Sequence, residues 1–218
     1  QELPFGTEYL ANAEWYLSRR EKYSFAAKCG YNAEPHNHND VGSFIFATDK
    51  GQMLADIGAL EYTRDTFSPR RYTLLHNSSL GHSVPIVDGK EQEKGEKYRG
   101  KVLSAGENDF SMEIDGAYNG DVGKITRSFS LNDDGVVLTD RFDGLNGKPV
   151  TERFISVIKP QVLDDCVVIG DTIIKAHTLP EVSLRVLEDK KPTTVDVYIM
   201  DYPLSGEEFK LEITQKSK

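Results

Sequence analysis

The residues best suited to chemistry lie in one short run, EPHNHND at residues 34–40. Four of the five histidines of the chain fall between residues 36 and 82. Alternate side chains share a face in an extended segment, so His36, His38 and Asp40 would then point the same way. Two imidazoles at this spacing form half of a site for zinc or another borderline metal.

Further ligands for such a site must come from elsewhere in the chain. Asp56 in LADIG and His82 in GHSVPI are the candidates, because each stands at the edge of an apolar run. Two histidines and one aspartate would leave a fourth position open, as catalytic zinc sites do. Hydrogen-bonding surface histidines remain the alternative for HxHxD alone, since short motifs often match by chance. His177, alone in KAHTLP, favours a solvated role, and His76 in HNSS favours a backbone contact.

A group of basic and aromatic residues lies between Asp56 and His82. Its candidate substrate-binding members are Arg64, Arg71 and Tyr62, and Arg70 and Tyr72 lie beside them. One interpretation is a solvated loop. The other is a clamp for a sugar carboxylate, because the guanidinium fork matches carboxylate geometry.

The composition limits the possible partners. The formal net charge is -9 and the isoelectric point about 5.1, which argues against nucleic acid because phosphate binding relies on clustered Lys and Arg. An anionic polysaccharide would need a local basic patch. No apolar run approaches the ~20 residues that cross a bilayer, so no membrane partner is expected. Cys29 and Cys166 match no metal or redox spacing and are expected to be unpaired thiols.

Two kinds of element must position these residues. Residues 7–22 (TEYLANAEWYLSRREK) predict a helix with Thr7 as its N-cap. The residues that share one face at helical spacing are Tyr9, Ala13, Tyr16 and Leu17. This predicts a helical lead-in at 1–22, followed by a β domain at 23–218.

From Tyr23 onward, short β-rich runs alternate with turn dipeptides. Examples are SFIFA, KITRSFSL, VVLTDRF, VSLRVL and VDVYIM, separated by DG, NDDG and similar turns. Turn signals every 8–12 residues with period-2 alternation favour an antiparallel sandwich over βαβ units. The sequence therefore predicts a mainly β fold of about a dozen strands, an antiparallel two-sheet β-sandwich with a short N-terminal helix.

Three motifs in order carry a resemblance to a known family. They are the run at 26–44 (AAKCGYNAEPHNHNDVGSF), the run at 56–72 (DIGALEYTRDTFSPRRY) and the run at 81–98 (GHSVPIVDGKEQEKGEKY). Together they resemble the C-terminal domain of heparinase II/III-like polysaccharide lyases, and residues 127–156 fit the same pattern. The order of the three is much more specific than any one of them.

The resemblance implies a sandwich of the super-sandwich type that follows an (α/α) toroid. It also implies a structural zinc, which here would be held by His38, Asp56 and His82, with His36 facing the sugar and acting in catalysis. One position departs from the family pattern, because Ser83 follows His82 where the family usually has Asn. The pair His76-Asn77 is therefore a rival, although His82 has the expected spacing to the following VDG.

The activity implied by the resemblance is β-elimination at a uronic acid in a heparin/heparan-, chondroitin- or alginate-like polysaccharide. The tyrosine acid/base and the group that neutralises the carboxylate would come from the toroid, so the chain by itself is expected to be inactive. Two other classes stay open: a carbohydrate-binding sandwich with the metal as a staple, and a cupin-like iron oxygenase. The sequence leaves export and a possible homodimer undecided.

Overall fold

A computed structural model describes residues 4–190 and 192–216, and within these ranges the chain consists of strands, loops and short 3-10 turns. The strands are β1 (Gly6–Leu10), β2 (Trp15–Arg19), β3 (Ser24–Lys28), β4 (Tyr31–Asn32), β5 (Phe44–Thr48), β6 (Gly51–Leu54), β7 (Pro85–Val87), β8 (Gly95–Arg99), β9 (Lys101–Ala105), β10 (Asp109–Glu113), β11 (Lys124–Leu131), β12 (Gly135–Asp143), β13 (Val150–Ser156), β14 (Gln161–Val162), β15 (Val167–Ile169), β16 (Thr172–Ala176), β17 (Glu181–Glu188), β18 (Thr194–Pro203) and β19 (Glu208–Gln215). The 3-10 turns are Asp65–Phe67, Arg71–Thr73, Leu75–Asn77, Ser79–Gly81 and Asp115–Ala117.

The strands form antiparallel sheets that confirm the predicted sandwich. An eight-stranded sheet has the order β14-β15-β16-β19-β12-β11-β10-β9. A five-stranded sheet (β1-β2-β3-β5-β6) and a four-stranded sheet (β17-β18-β13-β7) are joined where the Ala55 N–H, just after the edge strand β6, donates to the Ile155 carbonyl of β13 at 2.8 Å. Strands β4 and β8 form a separate pair.

The main core lies between the eight-stranded sheet and the other two. Phe25 of β3 and Phe44 of β5 meet Phe129 of β11, with ring centroids 5.0 and 5.1 Å apart. Phe154 of β13 stacks on Phe209 of β19 at 5.9 Å. These side chains are buried because residues two apart on a strand point to the same face. The predicted alternation therefore reflects the real inner faces of both layers.

The predicted helix at residues 7–22 is wrong. This stretch forms the hairpin of β1 and β2, whose register places Tyr9 opposite Tyr16. The two tyrosines are seven residues apart, which matches two helical turns but also a cross-strand pair around a short turn. Tyr16 stacks on Phe110 of the opposite sheet with centroids 5.0 Å apart, and β2 pairs with β3. Contacts remote in sequence thus override the local helical spacing.

A smaller core anchors the long segment between β6 and β7. Ile155, Val197 and Ile199, which lie on the face of the four-stranded sheet away from the main core, pack with Ile57. Leu60 and Leu75 of the long segment pack on this group. The segment, with four of the five 3-10 turns, is therefore held against a rigid sheet although it contains no strand.

Two further sequence predictions concern single features. Cys29 and Cys166 are free thiols, as predicted, and the structure buries both of them. No helix within residues 4–190 and 192–216 is long and apolar enough to cross a bilayer.

Candidate metal centre

Three separate segments bring His38, Asp56 and His82 together. His38 lies in the loop between β4 and β5, Asp56 comes two residues after the end of β6, and His82 follows the last 3-10 turn before β7. One ligand atom from each residue lies within 4.8 Å of the other two. The rings of His38 and His82 have centroids 5.2 Å apart. Residues separated by 44 positions in sequence thus converge on one point.

The hydrogen bonding of His82 tests whether this group fits a cation. His82 is fully buried, and its Nε2 lies 3.2 Å from the carbonyl oxygen of His76, which can only accept a hydrogen bond. That contact places a proton on Nε2. The other ring nitrogen, Nδ1, has no hydrogen-bond partner and lies 3.3 Å from Oδ2 of Asp56. A metal-bound histidine usually donates its second ring N–H to a carbonyl or carboxylate in this way, which would leave Nδ1 of His82 as the ligand atom, facing Asp56.

The charges at the site favour a cation there. Burial lowers the pKa of His38 to about 4, and the neighbouring His82 acts in the same direction. Burial would raise the pKa of Asp56, but the contact with His82 and the Gly58 N–H, which donates to Oδ1 at 2.6 Å, lower it below its usual range. His38 is then neutral and Asp56 ionised near neutral pH, which are the forms that bind metal. Burial would lower the pKa of His82, but the contact with Asp56 outweighs burial and raises it, so a metal ion at this position would replace a proton on His82.

His76 contributes through its backbone. Its ring is buried, with a centroid 6.2 Å from that of His38, and burial, followed by His82, lowers its pKa. The group of three ligand atoms within the described ranges contains His82 and not His76. Ser83, at the position that departs from the family pattern, accepts a hydrogen bond from the Ile155 N–H at 3.2 Å through its hydroxyl. Serine therefore ties the ligand segment to β13.

The loop that carries His38 is a turn and not an extended strand. His36 has a φ of 61°, in the left-handed region that non-glycine residues rarely adopt, and its side chain is exposed. Asp40 does not share a face with the histidines; its Oδ1 lies 2.7 Å from the Nζ of Lys28, which is buried. A common face for His36, His38 and Asp40 was expected only for an extended segment, and the turn at these residues does not meet that condition.

A buried ionic cluster supports both histidine segments. Arg127 of β11 is fully buried and donates to the carbonyl oxygens of Gly42 at 2.8 Å and Ser83 at 2.6 Å. It also donates to Asp140 and Glu152. Burial and then Asp140 raise the pKa of Glu152 well above its usual value against the opposing effect of Arg127. The raised pKa of Glu152 favours its protonated form beside the ion pair of Arg127 and Asp140.

The sequence predictions did not include this cluster, although the sequence contains a signal for it. Arg127 stands in the same alternation phase as Ile125 and Phe129, and this phase indicates an inward-facing charge. A buried arginine needs a buried anion and further acceptors.

The predicted substrate-binding residues lie in the long segment. Tyr62 and Arg64 are exposed, and the Tyr62 ring packs edge-on against Phe67 with centroids 5.4 Å apart. Arg71 donates to the carbonyl oxygens of Asn37 at 2.7 Å and Thr66 at 3.1 Å, so it contacts the residue after His36. The structure thus places Arg71 beside the histidine loop, with three guanidinium N–H groups left for other partners.

Comparison with known proteins gives one family and a set of similar folds. The family model described as "Heparinase II/III-like, C-terminal" matches residues 4–197. No curated protein sequence matches the chain. The heparan sulfate lyase HepC from Pedobacter heparinus superposes with a TM-score of 0.69 at 16% identity, over 100% of this chain and 37% of that protein.

Two more distant structures share the fold. A chondroitin AC lyase variant from Streptomyces coelicolor A3 has a TM-score of 0.55 at 11% identity, over 100% of this chain and 34% of that one. A 4-alpha-glucanotransferase from Thermococcus litoralis also has a TM-score of 0.55, at 10% identity, over 98% and 40%. The sandwich therefore occurs in proteins with different reactions. The chain spans between 34% and 40% of the length of each of these structures.

Proposed function

The chain belongs to the heparinase II/III-like C-terminal family, and from this premise we propose that it is the β-sandwich portion of a polysaccharide lyase. The proposed substrates are uronic-acid polysaccharides of the heparin/heparan, chondroitin or alginate type, cleaved by β-elimination. The observation that carries the proposal is the convergence of His38, Asp56 and His82, with the exposed His36 two residues before His38 in the same loop.

We propose zinc as the ion held by His38, Asp56 and His82. Two imidazoles and a carboxylate suit zinc, and the carbonyl of His76 supports the ligand orientation of His82. Bound zinc would cross-link the loop of His38 to the segment of His82. In this role it is structural: it fixes the position of the neighbouring His36.

The chemistry assigned to His36 is proton transfer at the sugar. In β-elimination, a base removes the proton at C5 of the uronic acid, the electron pair forms the C4–C5 double bond, and the C4–O bond breaks. An acid then protonates the leaving oxygen. A positioned acid or base contributes about 10²–10⁴-fold to such a step. His36 is exposed and held in a strained turn, as expected for a residue that meets a large substrate.

Substrate binding is assigned to Arg64, Arg71 and Tyr62. The chain has a net charge of -9, so an anionic sugar needs a local cationic surface. Arg71, which holds the Asn37 carbonyl, couples this surface to the loop of His36. Tyr62, an exposed aromatic ring beside Phe67, offers an apolar face for a sugar ring.

The remainder of the active site is assigned to an N-terminal helical toroid. The chain corresponds to 37% of the length of the heparan sulfate lyase with the same fold, which leaves room for such a domain in a full-length protein. The toroid would supply the tyrosine acid/base and the group that neutralises the carboxylate. The sandwich by itself is expected to release no unsaturated product.

The test uses the full-length protein and follows the ultraviolet absorbance of the unsaturated uronate with heparan sulfate, chondroitin sulfate and alginate. His36→Ala is expected to lower kcat at least 100-fold with its zinc content unchanged, because His36 is not a ligand. His177 is an exposed histidine just after β16, so His177→Ala is the matched control and should retain full activity. Absence of product from all three polysaccharides would contradict the proposal.

The same variants separate the alternatives. Full activity of His36→Ala would favour a sandwich that only binds carbohydrate and whose metal has a purely structural role. Iron in place of zinc by elemental analysis would favour the oxygenase.

A further inference from the structure

Gln92 is a buried residue in the loop between β7 and β8, and its side chain pairs with the backbone of Val41. Its relative exposure is 3%. The amide Nε2 donates to the Val41 carbonyl at 2.7 Å, and Oε1 accepts from the Val41 N–H at 3.0 Å. One side chain thus satisfies both backbone groups of a residue three positions after His38, as a neighbouring β-strand would.

The other polar groups of Gln92 reach both histidine segments. Its carbonyl accepts a hydrogen bond from Nδ2 of Asn39, the residue after His38, at 3.1 Å. Its N–H donates at 3.0 Å to the hydroxyl of Ser79, three residues before His82. Oε1 also accepts from Nδ2 of Asn32 at 3.2 Å. Gln92 therefore bridges the loop of His38 and the turn that precedes His82.

We propose that Gln92 is a positioning residue that sets the separation between His38 and His82. The inference rests on the proposed metal site. Metal–ligand distances tolerate changes of only about 0.2 Å, so the two segments must be held before the ion arrives. A direct bond also links them, from the Asn39 N–H to the Asn77 carbonyl at 3.0 Å. Gln92 adds hydrogen bonds to Asn39 and Ser79, which flank this direct bond in the two segments.

The amide, and not merely the size, of Gln92 is required. Glu91 and Glu93 on both sides are carboxylates, and both are exposed. A carboxylate at position 92 would keep the acceptor for Val41 N–H but would place an oxygen against the Val41 carbonyl, where Nε2 now donates. Two facing acceptors repel, and a buried ionised group without a partner is costly.

The experiment measures the affinity of the 218-residue chain for Zn²⁺ and Co²⁺ by competition with a chromophoric chelator. Gln92→Glu and Gln92→Met are expected to weaken binding by about 10- to 100-fold, as loss of outer supporting contacts does. Ser79→Ala, which removes a single acceptor, is a milder variant in case the others fold poorly, and it should lose less. Glu93→Gln is the neighbouring exposed control and should bind normally.

A second control separates positioning from general stability. Ile213→Ala creates a cavity in the fully buried core of β19, away from the site, and should lower the unfolding free energy while leaving metal affinity within twofold. The proposal is overturned if Gln92→Met binds metal as the unaltered chain does. It is equally overturned if Ile213→Ala loses affinity in proportion to its lost stability.

A readout that needs no metal keeps this inference distinct from the zinc proposal. If the unaltered chain binds neither ion, the zinc proposal fails, and the role of Gln92 is then measured by amide hydrogen exchange. Gln92→Met should accelerate exchange at Asn39 and His82, whose N–H groups donate to Asn77 and Ser79, more than Ile213→Ala does. Equal acceleration in the two variants would contradict the positioning role.

Discussion

Zinc should stabilise this chain, because its three ligands come from segments that meet only in the folded state. An ion that binds the native form alone adds RT ln(1 + [L]/Kd), which is about 2.7 kcal/mol when the free ion is at 100 times Kd. For a chain of 218 residues, about 2–4 °C per kcal/mol gives a rise in Tm of about 5–11 °C. The assay is thermal unfolding in metal buffers of known free zinc, with a chelator as the zero point.

The variant that tests the assignment is His82→Ala, which removes a proposed ligand whose side chain is fully buried. This substitution also destabilises the metal-free protein, because it deletes the contact with the His76 carbonyl. The quantity to compare is therefore the zinc-induced shift in Tm within each variant. It should vanish in His82→Ala and persist in His177→Ala. A shift of equal size in both variants, or no shift in the unaltered chain with Zn²⁺, Co²⁺ or Ni²⁺, would refute the reasoning.

Three further predictions concern the support of the site. Glu152 has a raised pKa in the folded state, so its protonated form contributes stability below its unfolded pKa of about 4.3, and this contribution is lost as pH rises through the folded pKa. In urea unfolding from pH 5 to 8, the unfolding free energy of Glu152→Gln should therefore rise relative to that of the unaltered chain, by at most about 1.4 kcal/mol per pH unit. Parallel curves of unfolding free energy against pH would contradict this. Arg127→Met should lower the unfolding free energy by about 3–5 kcal/mol because it leaves the charge of Asp140 buried and unpaired, and adding Asp140→Leu should restore part of the loss. Gly81→Ala should cost about 1–3 kcal/mol and weaken metal binding, since its Cβ would lie 2.2 Å from the Leu75 carbonyl oxygen just before His82; unchanged affinity would show that the turn adapts.

Most strands could be predicted because apolar and polar side chains alternate along them, which identifies the buried face. The predicted runs SFIFA, VSLRVL and VDVYIM coincide with β5, β17 and β18. Strand β19 is not among the predicted strands, although Phe209, Leu211 and Ile213 alternate with charged residues and are buried. The helix prediction for residues 7–22 failed for a different reason, because the spacing of Tyr9 and Tyr16 fits a helix and a hairpin equally well.

The metal centre shows the same division between local and remote information. His38, Asp56 and His82 were candidates from residue type and from the family motifs, and their ligand atoms do converge. The choice between His76 and His82 depended on which ring the folded segment turns toward the other ligands. The supporting groups Arg127 and Gln92 were not predicted, because their partners lie 85 and 51 residues away at Gly42 and Val41.

By itself, the sequence determined the fold class, the family motifs and the residue types able to hold a cation. These follow from local properties, namely side-chain alternation, turn residues and the chemistry of imidazole and carboxylate groups. Only the tertiary structure decided that the N-terminal stretch is a hairpin, that Asp40 turns to Lys28, and that Arg127 and Gln92 donate to the backbone of the loop after His38. The physical reason is that periodicity identifies which face of a segment is buried, whereas hydrogen bonding and packing across the sandwich select what that face meets.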